Sequence, residues 1–214
     1  MRSFRHWTAR YVRDRIVDIA YQRRHPGAPL LTRYAIAILA EWLVATDHGW
    51  EWGSGRSTPW FAARVARLTS IEHDPYWVGI VTRRLEDLEL GGRVVYRQRA
   101  LEDEGGGGSP YVGAIAAQPD ASLDFCLVDG RLRDACALAC LPKLRPGGLL
   151  VLDDAHRYIP RDPRSPAPFA RGIGEGFPSE LWREFHERVA DWRRIWTTDG
   201  IKDTAFWLKP LATR

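Results

Sequence analysis

The chain has 214 residues, which is enough for one domain with a full hydrophobic core. No run of about 18 uncharged apolar residues exists, and the basic N-terminus lacks the apolar stretch of a secretory signal, so we expect a cytoplasmic protein without a membrane span. The net charge is only +4, no basic cluster carries the interleaved aromatics of a nucleic-acid-binding surface, and three cysteines are too few for a disulfide framework.

All but three of the 31 basic residues are Arg. One interpretation of this bias is the base composition of the genome. The other is an anionic partner, because the guanidinium fork suits carboxylate and phosphate groups. The sequence leaves both interpretations open.

Apolar periodicity and turn residues predict helices and strands that alternate along the chain. The predicted helices cover residues 7–24, about 32–45, 57 onward, 74–88, about 111–117, 133–141 and about 179–191. The predicted strands cover residues 49–52, 68–72, 94–97, 123–128, 149–152, 194–198 and 204–208. We therefore expect an α/β fold with a single doubly wound, mostly parallel seven-stranded sheet and a C-terminal antiparallel hairpin. Residues 1–28 are expected to form an N-terminal helical extension or lid, and residues 29–214 the main domain.

Two loops differ from ordinary connections. Residues 105–109 read Gly-Gly-Gly-Gly-Ser, a sequence also used as an artificial linker, so this segment is either a natural surface loop or an engineered replacement. Residues 157–178 are rich in Pro, Gly and Arg and are too long for a simple connection. They predict a lid or a binding loop.

A nucleoside-binding turn is predicted after the first strand. Glu51 precedes a Gly-x-Gly turn at residues 53–55, and a second acid, Glu72, closes the next apolar run nineteen residues after Gly53. Glycines let the backbone approach a ligand, and an acid at the second strand end can accept hydrogen bonds from ribose hydroxyls. A nicotinamide-binding turn would carry a third glycine where Thr58 stands, which favours a different nucleoside cofactor.

Five segments in order define a wider pattern. They are Glu51 with Gly53-Ser54-Gly55, then Glu72-His73-Asp74, Val128-Asp129-Gly130, Leu144-Arg145-Pro146-Gly147-Gly148 and Leu152-Asp153-Asp154. With this order and spacing, residues 29–209 resemble the class I, Rossmann-like S-adenosylmethionine-dependent methyltransferases. The late hairpin is similar to the antiparallel sixth and seventh strands of that family.

The resemblance implies a set of cofactor contacts. The two glycines would lie along the methionine moiety, Glu51 near its amino group, and Glu72 on the ribose diol. His73 could flank the adenine, and Trp77 could cover it. Ser57 and Thr58 have two roles that the sequence does not separate, binding the cofactor carboxylate or capping the helix. The implied cofactor-binding residues are Glu51, Gly53, Ser54, Gly55, Ser57, Thr58, Glu72, His73, Trp77 and Asp129.

Carboxylates follow two strands that share one edge of the predicted sheet. Asp129 ends the fourth strand, and Asp153 and Asp154 end the fifth. Three oxygen ligands suit Mg²⁺, and the arrangement resembles metal-dependent O-methyltransferases that act on catechols and sugars. The sequence therefore predicts a magnesium site formed by these three acids.

An alternative to the metal site is a salt-bridged rim. Arg131 or Arg133 could neutralise Asp129, and an Arg could instead hold an anionic substrate. The candidate catalytic residues are Asp129 and His156, the latter as a base near neutral pH.

The function predicted from this pattern is S-adenosylmethionine-dependent methylation of a small molecule, with oxygen as the expected acceptor atom. One alternative is a methyltransferase for RNA or protein, which would dock its substrate on the Arg-rich helix 7–24. Another is a Rossmann-like domain that binds a nucleoside or NAD without methyl transfer. An exposed apolar face on the first helix would favour a homodimer. The methyl acceptor has no sequence signature.

Overall fold

The computed structural model describes residues 7–102, 108–162 and 169–211. The helices there are α1 (Ala9–Arg24), α2 (Arg33–Trp42), α3 (Ser57–Ala62), α4 (Pro75–Asp87), α5 (Pro110–Gly113), α6 (Arg133–Cys140) and α7 (Glu180–Arg188). The strands are β1 (His48–Trp52), β2 (Arg67–Glu72), β3 (Val94–Gln98), β4 (Leu123–Val128), β5 (Leu144–Leu152), β6 (Arg193–Thr198) and β7 (Asp203–Leu208). Short 3₁₀ turns cover Gly91–Arg93, Ala155–Arg157 and Ile173–Glu175. Part of the Gly-rich segment 105–109 and part of the loop 157–178 lie outside the described residues.

The strands form one sheet in the order β3-β2-β1-β4-β5-β7-β6. Strands β1 to β5 are parallel, and β7 lies antiparallel between β5 and β6. The predicted fold class is therefore confirmed. The strand order reverses between β1 and β4, so the carboxyl ends of these strands border a crevice where open α/β sheets bind ligands. We call this side of the sheet the carboxyl edge.

The core explains why the central strands read as apolar runs. Every side chain of β4 except Asp124 is buried, and from Leu149 to Leu152 β5 is buried as well. Helices cover both faces of such a sheet, so neither face can carry the alternating polar residues of a half-exposed strand. The cysteines Cys126, Cys136 and Cys140 are buried free thiols in this core.

Three local predictions were wrong. Helix α5 is a single turn that ends at Gly113, not a helix over 111–117. Strand β5 begins at Leu144, five residues earlier than expected, and Pro146-Gly147-Gly148 lies inside it where its register with β4 shifts. Helix α3 is preceded by Arg56 without a side-chain cap, because the Thr58 hydroxyl bonds elsewhere.

The first helix docks on the turn between β6 and β7. Asp18 is 8% exposed and accepts a hydrogen bond from Gln22, and the Lys202 ammonium lies 3.8 Å from its carboxylate. A Cβ on Gly200 would collide with the Asp14 carboxylate, so helix and turn approach closely. Because β6 ends and β7 begins at the carboxyl edge, α1 lies beside that edge.

Helix α2 is tied to the same hairpin by threonines. The Thr32 hydroxyl lies 2.6 Å from that of Thr197, and the Thr32 backbone N–H donates to the Thr204 hydroxyl at 3.1 Å. All three residues are buried. The Thr204 hydroxyl in turn donates to the Asp153 carboxylate at 2.8 Å. The network therefore connects α2 to the end of β5. Within residues 7–102, 108–162 and 169–211, no helix has the length and apolar character to span a bilayer.

Candidate functional site

The two turn glycines have different structural roles. Gly53 has φ +89°, and a Cβ there would lie 2.6 Å from the backbone N and Cα of Gly130. The ends of β1 and β4 thus approach so closely that only glycine fits at this position. A Cβ on Gly55, by contrast, would meet no atom within 4 Å. Space beside Gly55 is therefore open to a ligand, whereas Gly53 is required by the protein itself.

Glu51 is a buried carboxylate with one oxygen unsatisfied. Its side chain is fully buried, and Oε2 accepts hydrogen bonds from the Thr58 and Ser70 hydroxyls at 2.7 Å each. Oε1 is buried and has no hydrogen-bond partner. Burial raises the pKa of Glu51 to about 6, while the hydroxyls of Ser57, Ser70 and Thr58 lower it. Buried polar atoms are nearly always bonded, so Oε1 is suited to a donor from a ligand, such as an amino group.

Thr58 and Ser57 do not cap α3, which was one of the two roles expected from the sequence. The Thr58 oxygen accepts the Gly55 backbone N–H at 3.2 Å and its hydroxyl donates to Glu51, so it orients the acid and the turn. Ser57 is 5% exposed and lies beside the same carboxylate.

Glu72 is 3% exposed and is surrounded by donors. Oε2 accepts hydrogen bonds from the backbone N–H and hydroxyl of Ser54, and Oε1 accepts the backbone N–H groups of His73 and Asp74. The Ser54 hydroxyl also lies 2.6 Å from the Tyr96 hydroxyl. The acid therefore links the Gly-x-Gly turn to the end of β2.

Two residues expected near an adenine, His73 and Trp77, lie after β2 and on α4. The His73 ring makes an edge contact with the Tyr111 ring at 5.8 Å, and Trp77 is 43% exposed on α4. A cavity of about 350 Å³ lies beyond the ends of β3 and β4. Its lining residues are Leu101, Glu102, Gly130, Arg131, Leu132, Arg133, Asp134, Tyr158 and Trp182.

Asp129 is paired with Arg133, so the structure selects one of the two arginines considered from the sequence. Nη2 of Arg133 lies 2.9 Å from Oδ1 of Asp129. Burial raises the pKa of Asp129 to about 6, although Arg133 lowers it and Asp154 raises it further. The Asp129 side chain remains 25% exposed and is accessible at the carboxyl edge.

The other two acids have separate partners. Asp153 is 5% exposed and bonded to Thr204, and burial followed by the charges of Asp129 and Asp154 raises its pKa well above the ordinary value. Asp154 accepts a hydrogen bond from Arg157 at 3.1 Å. Among the described residues no group of three or more His, Cys, Asp or Glu side chains is placed to hold a metal ion. The residues present therefore do not fit the predicted magnesium site.

His156, the candidate base, is buried behind the end of β5. It is 5% exposed, and its Nδ1 accepts the backbone N–H of Asp203 at 3.2 Å. That nitrogen holds the start of β7 and is not available as a base.

Several residues of the site carry no sequence signal. Ser70 lies opposite Glu51 because β1 and β2 pair in that register, and Thr204 meets Asp153 only through the hairpin. Tyr111 is fully buried below the ends of β3 and β4. Alternation along β2 would place Ser70 on the same face as Glu72, but the partner strand cannot be deduced from alternation alone.

Comparison with known proteins supports the fold. Neither a protein-family model nor a curated protein sequence matches the chain. An O-methyltransferase from Bacillus cereus in complex with SAH aligns with a TM-score of 0.56 and 18% identity, over 94% of this chain and 91% of that chain. A methyltransferase from Geobacter sulfurreducens aligns with a TM-score of 0.55 and 16% identity, over 92% and 89%. A SAM-dependent methyltransferase from Aquifex aeolicus aligns with a TM-score of 0.52 and 12% identity, over 92% and 97%. The chain has the fold of these methyltransferases, which confirms the predicted structural resemblance.

Proposed function

We propose that the protein is an S-adenosylmethionine-dependent methyltransferase that acts on a small molecule, with oxygen as the expected acceptor atom. The observation that carries the proposal is the unpartnered, fully buried Oε1 of Glu51 beside the open space at Gly55. These two features lie at the switch point of the sheet, on a fold shared with methyltransferases.

Different residues at the carboxyl edge bind different parts of the cofactor. Oε1 of Glu51 accepts a hydrogen bond from the amino group, and Glu72 accepts the ribose hydroxyls. The methionine moiety passes Gly55, where no side chain stands. His73 and the cavity beyond β3 and β4 receive the adenine. S-adenosylmethionine supplies a methyl group already activated on a sulfonium, so the protein mainly aligns the acceptor with it.

Asp129 is the proposed catalytic carboxylate. It lies at the end of β4, is partly exposed, and can accept the proton of an acceptor that arrives protonated. Arg133 fixes one of its oxygens and so fixes its direction. The buried His156 has no such access, and we assign it the task of holding β7.

The proposal of a small-molecule acceptor is supported by the ion pairs that three of the five arginines of α1 make with acids of the same helix. Arg13 pairs with Asp14, and Arg15 pairs with Asp18. An RNA-binding helix would leave such residues to phosphates. Electrophoretic mobility shift with a mixed-sequence RNA checks this point, and tight, salt-sensitive binding would favour an RNA substrate instead.

A homodimer through α1 is part of the proposal. Val12, Ile16 and Ile19 recur on one face of the helix, and Ile16 is 62% exposed. Light scattering of the purified protein gives the mass directly, and Ile16→Glu should convert a dimer to a monomer. A monomeric wild-type protein would refute this part.

Isothermal titration calorimetry with S-adenosylhomocysteine tests the cofactor. We expect binding by the wild type and loss of binding in Glu72→Ala, whereas Glu86→Ala, an exposed acid on α4, should bind as the wild type does. NAD should give no heat. If the folded wild type bound NAD and not S-adenosylhomocysteine, the nucleoside- or NAD-binding alternative would replace the proposal.

A further inference from the structure

The Arg133 guanidinium is bonded to oxygens at the ends of two strands. Nε donates to the Gly130 carbonyl at 2.9 Å, and Nη1 donates to the Asp153 carbonyl at 2.6 Å. Nη2 donates to both the carbonyl and the carboxylate of Asp129, each at 2.9 Å. The side chain is 12% exposed. One of these four oxygens, Oδ1 of Asp129, is a ligand that the predicted metal ion between β4 and β5 would need.

The other two acids at this edge each have a partner on one carboxylate oxygen. Asp153 is bonded to Thr204, and Asp154 is bonded to Arg157. Removing a guanidinium from a largely buried carboxylate and from three carbonyl oxygens would leave several polar groups without partners. The binding free energy of a divalent cation would first have to offset the cost of leaving these polar groups without partners.

We propose that Arg133 is the resident cation of this edge and that cofactor binding and methyl transfer proceed without a divalent metal. The statement about cofactor binding and methyl transfer rests on the proposed methyltransferase function, whereas the statement about Arg133 does not. Arg133 is a positioning residue in it: through the Gly130 carbonyl it keeps Gly130 packed against Gly53, and through Asp129 it fixes the acid that faces the acceptor.

This assignment limits the acceptor. A metal ion would acidify a bound hydroxyl, and a guanidinium bonded to four protein oxygens does not. The nucleophilic atom must therefore be acidic enough to ionise near neutral pH, as a carboxylic acid or an acidic phenol is, or must pass its proton to Asp129. An acceptor that needs chelation of two adjacent hydroxyls does not fit.

Metal titration of the wild type is the first test. The protein is stripped with EDTA, and MgCl₂ and MnCl₂ are titrated in separate calorimetry runs, before and after saturation with S-adenosylhomocysteine. We expect no metal heat and the same S-adenosylhomocysteine affinity with EDTA or MgCl₂. Saturable Mg²⁺ or Mn²⁺ binding, or a requirement of either metal for cofactor binding, would overturn the proposal. The titration without S-adenosylhomocysteine shows whether a metal binds even if S-adenosylhomocysteine does not. Failure of the proposed function is therefore distinguished from failure of the metal-free proposal.

Chemical rescue is the second test. Arg133→Ala should weaken S-adenosylhomocysteine binding by about tenfold, because Gly130 and Asp129 are then no longer held in position beside Gly53. Added guanidinium ion, at concentrations that leave wild-type binding unchanged, should restore the affinity, and MgCl₂ should not. Arg93→Ala, which removes an exposed arginine just before β3 at the end of the sheet opposite the carboxyl edge, is the control and should bind normally. Rescue by MgCl₂ rather than guanidinium would assign the site to a metal. If Arg133→Ala does not fold, the wild-type titration still decides.

Discussion

The hydroxyl of Thr58, on the first turn of α3, donates a 2.7 Å hydrogen bond to Oε2 of Glu51 at the end of β1. Ser70 bonds the same oxygen from β2. Three elements therefore fix the carboxylate with Oε1 unoccupied, before any ligand binds. Such an arrangement spares a ligand the cost of ordering the acid when it binds.

Replacing Thr58 by Val tests that support. The variant keeps the shape but removes a hydrogen bond to a charged group, and it leaves the Gly55 N–H without its acceptor. We expect the free energy of unfolding to fall by about 2 kcal/mol. Urea denaturation near neutral pH measures it, and Thr58→Ser, which keeps the hydroxyl, should lose less than half as much. Equal stability of Thr58→Val and wild type would contradict the role given to Thr58.

Glu51→Gln should change stability with pH. The pKa of Glu51 rises from 4.5 to about 6 on folding because burial disfavours the charged form. The wild type therefore loses stability as the pH rises from 4.5 to 6 and regains it when the pH falls and Glu51 is protonated. Glutamine does not titrate, so the variant lacks this pH dependence. The stability of Glu51→Gln relative to wild type should rise by about 2 kcal/mol across this window and stay level above it.

Urea denaturation at several pH values measures this difference. Glu41→Gln, on the exposed side of α2, controls for the loss of one negative charge. We further expect Glu51→Gln to bind S-adenosylhomocysteine more weakly, because the amide presents N–H groups or a weaker acceptor to the cofactor amino group. A relative stability independent of pH would show that Glu51 is ionised as easily in the folded state as in the unfolded one.

The two turn glycines provide a matched pair of substitutions. Gly53→Ala places a Cβ 2.6 Å from Gly130 at φ +89°, so we expect a loss of about 2–5 kcal/mol in stability. Gly55→Ala meets no protein atom and should change stability by less than about 1 kcal/mol. Its effect should instead appear in calorimetry as weaker S-adenosylhomocysteine binding. If Gly55→Ala bound the ligand normally, the cofactor would not pass beside this residue as proposed.

The division of the chain at residue 28 stays a prediction, and Lys202→Met tests it. The substitution removes the ammonium that lies 3.8 Å from Asp18. We expect α1 amides to exchange hydrogen roughly fivefold faster, which corresponds to about 1 kcal/mol, while β4 and β5 amides keep their rates. Exchange measured by mass spectrometry resolves the two regions. Uniform acceleration throughout the chain would show that α1 is part of the cooperative core and not a separate extension.

Short sequence signals correctly predicted the helices and strands that depend on nearby residues. The apolar run 123–128 matches β4 in both bounds, and Asp74 caps α4 by accepting the Tyr76 N–H. The start of β5 was missed because Pro146 and two glycines indicate a turn, while pairing with β4 continues on both sides of them. Tertiary pairing overrode the local preference there.

The candidate site likewise has residues that local signals indicate and contacts that only the tertiary structure decides. Glu51 and Glu72 were found because acids at the ends of apolar runs are unusual, but their bonded partners depend on strand register. The choice between Arg131 and Arg133 depends on Leu132, whose φ of +48° turns the chain so that α6 begins with Arg133. Likewise Asp154, at φ +53°, starts the 3₁₀ turn that buries His156. Left-handed backbone is rare at leucine, so nothing in the sequence indicates the turn at Leu132.

The bond from the Thr32 backbone to the Thr204 hydroxyl joins residues 172 positions apart. During synthesis on the ribosome, α2 emerges long before the hairpin that completes this contact, and contacts of such separation form late in folding. The same hydroxyl bonds Asp153. Until the hairpin is paired, this acid has no hydroxyl donor, so a nascent chain can form its parallel strands while the acidic end of β5 is still unfinished. Emergence of the β6–β7 hairpin from the ribosome should therefore limit how soon the candidate site is complete.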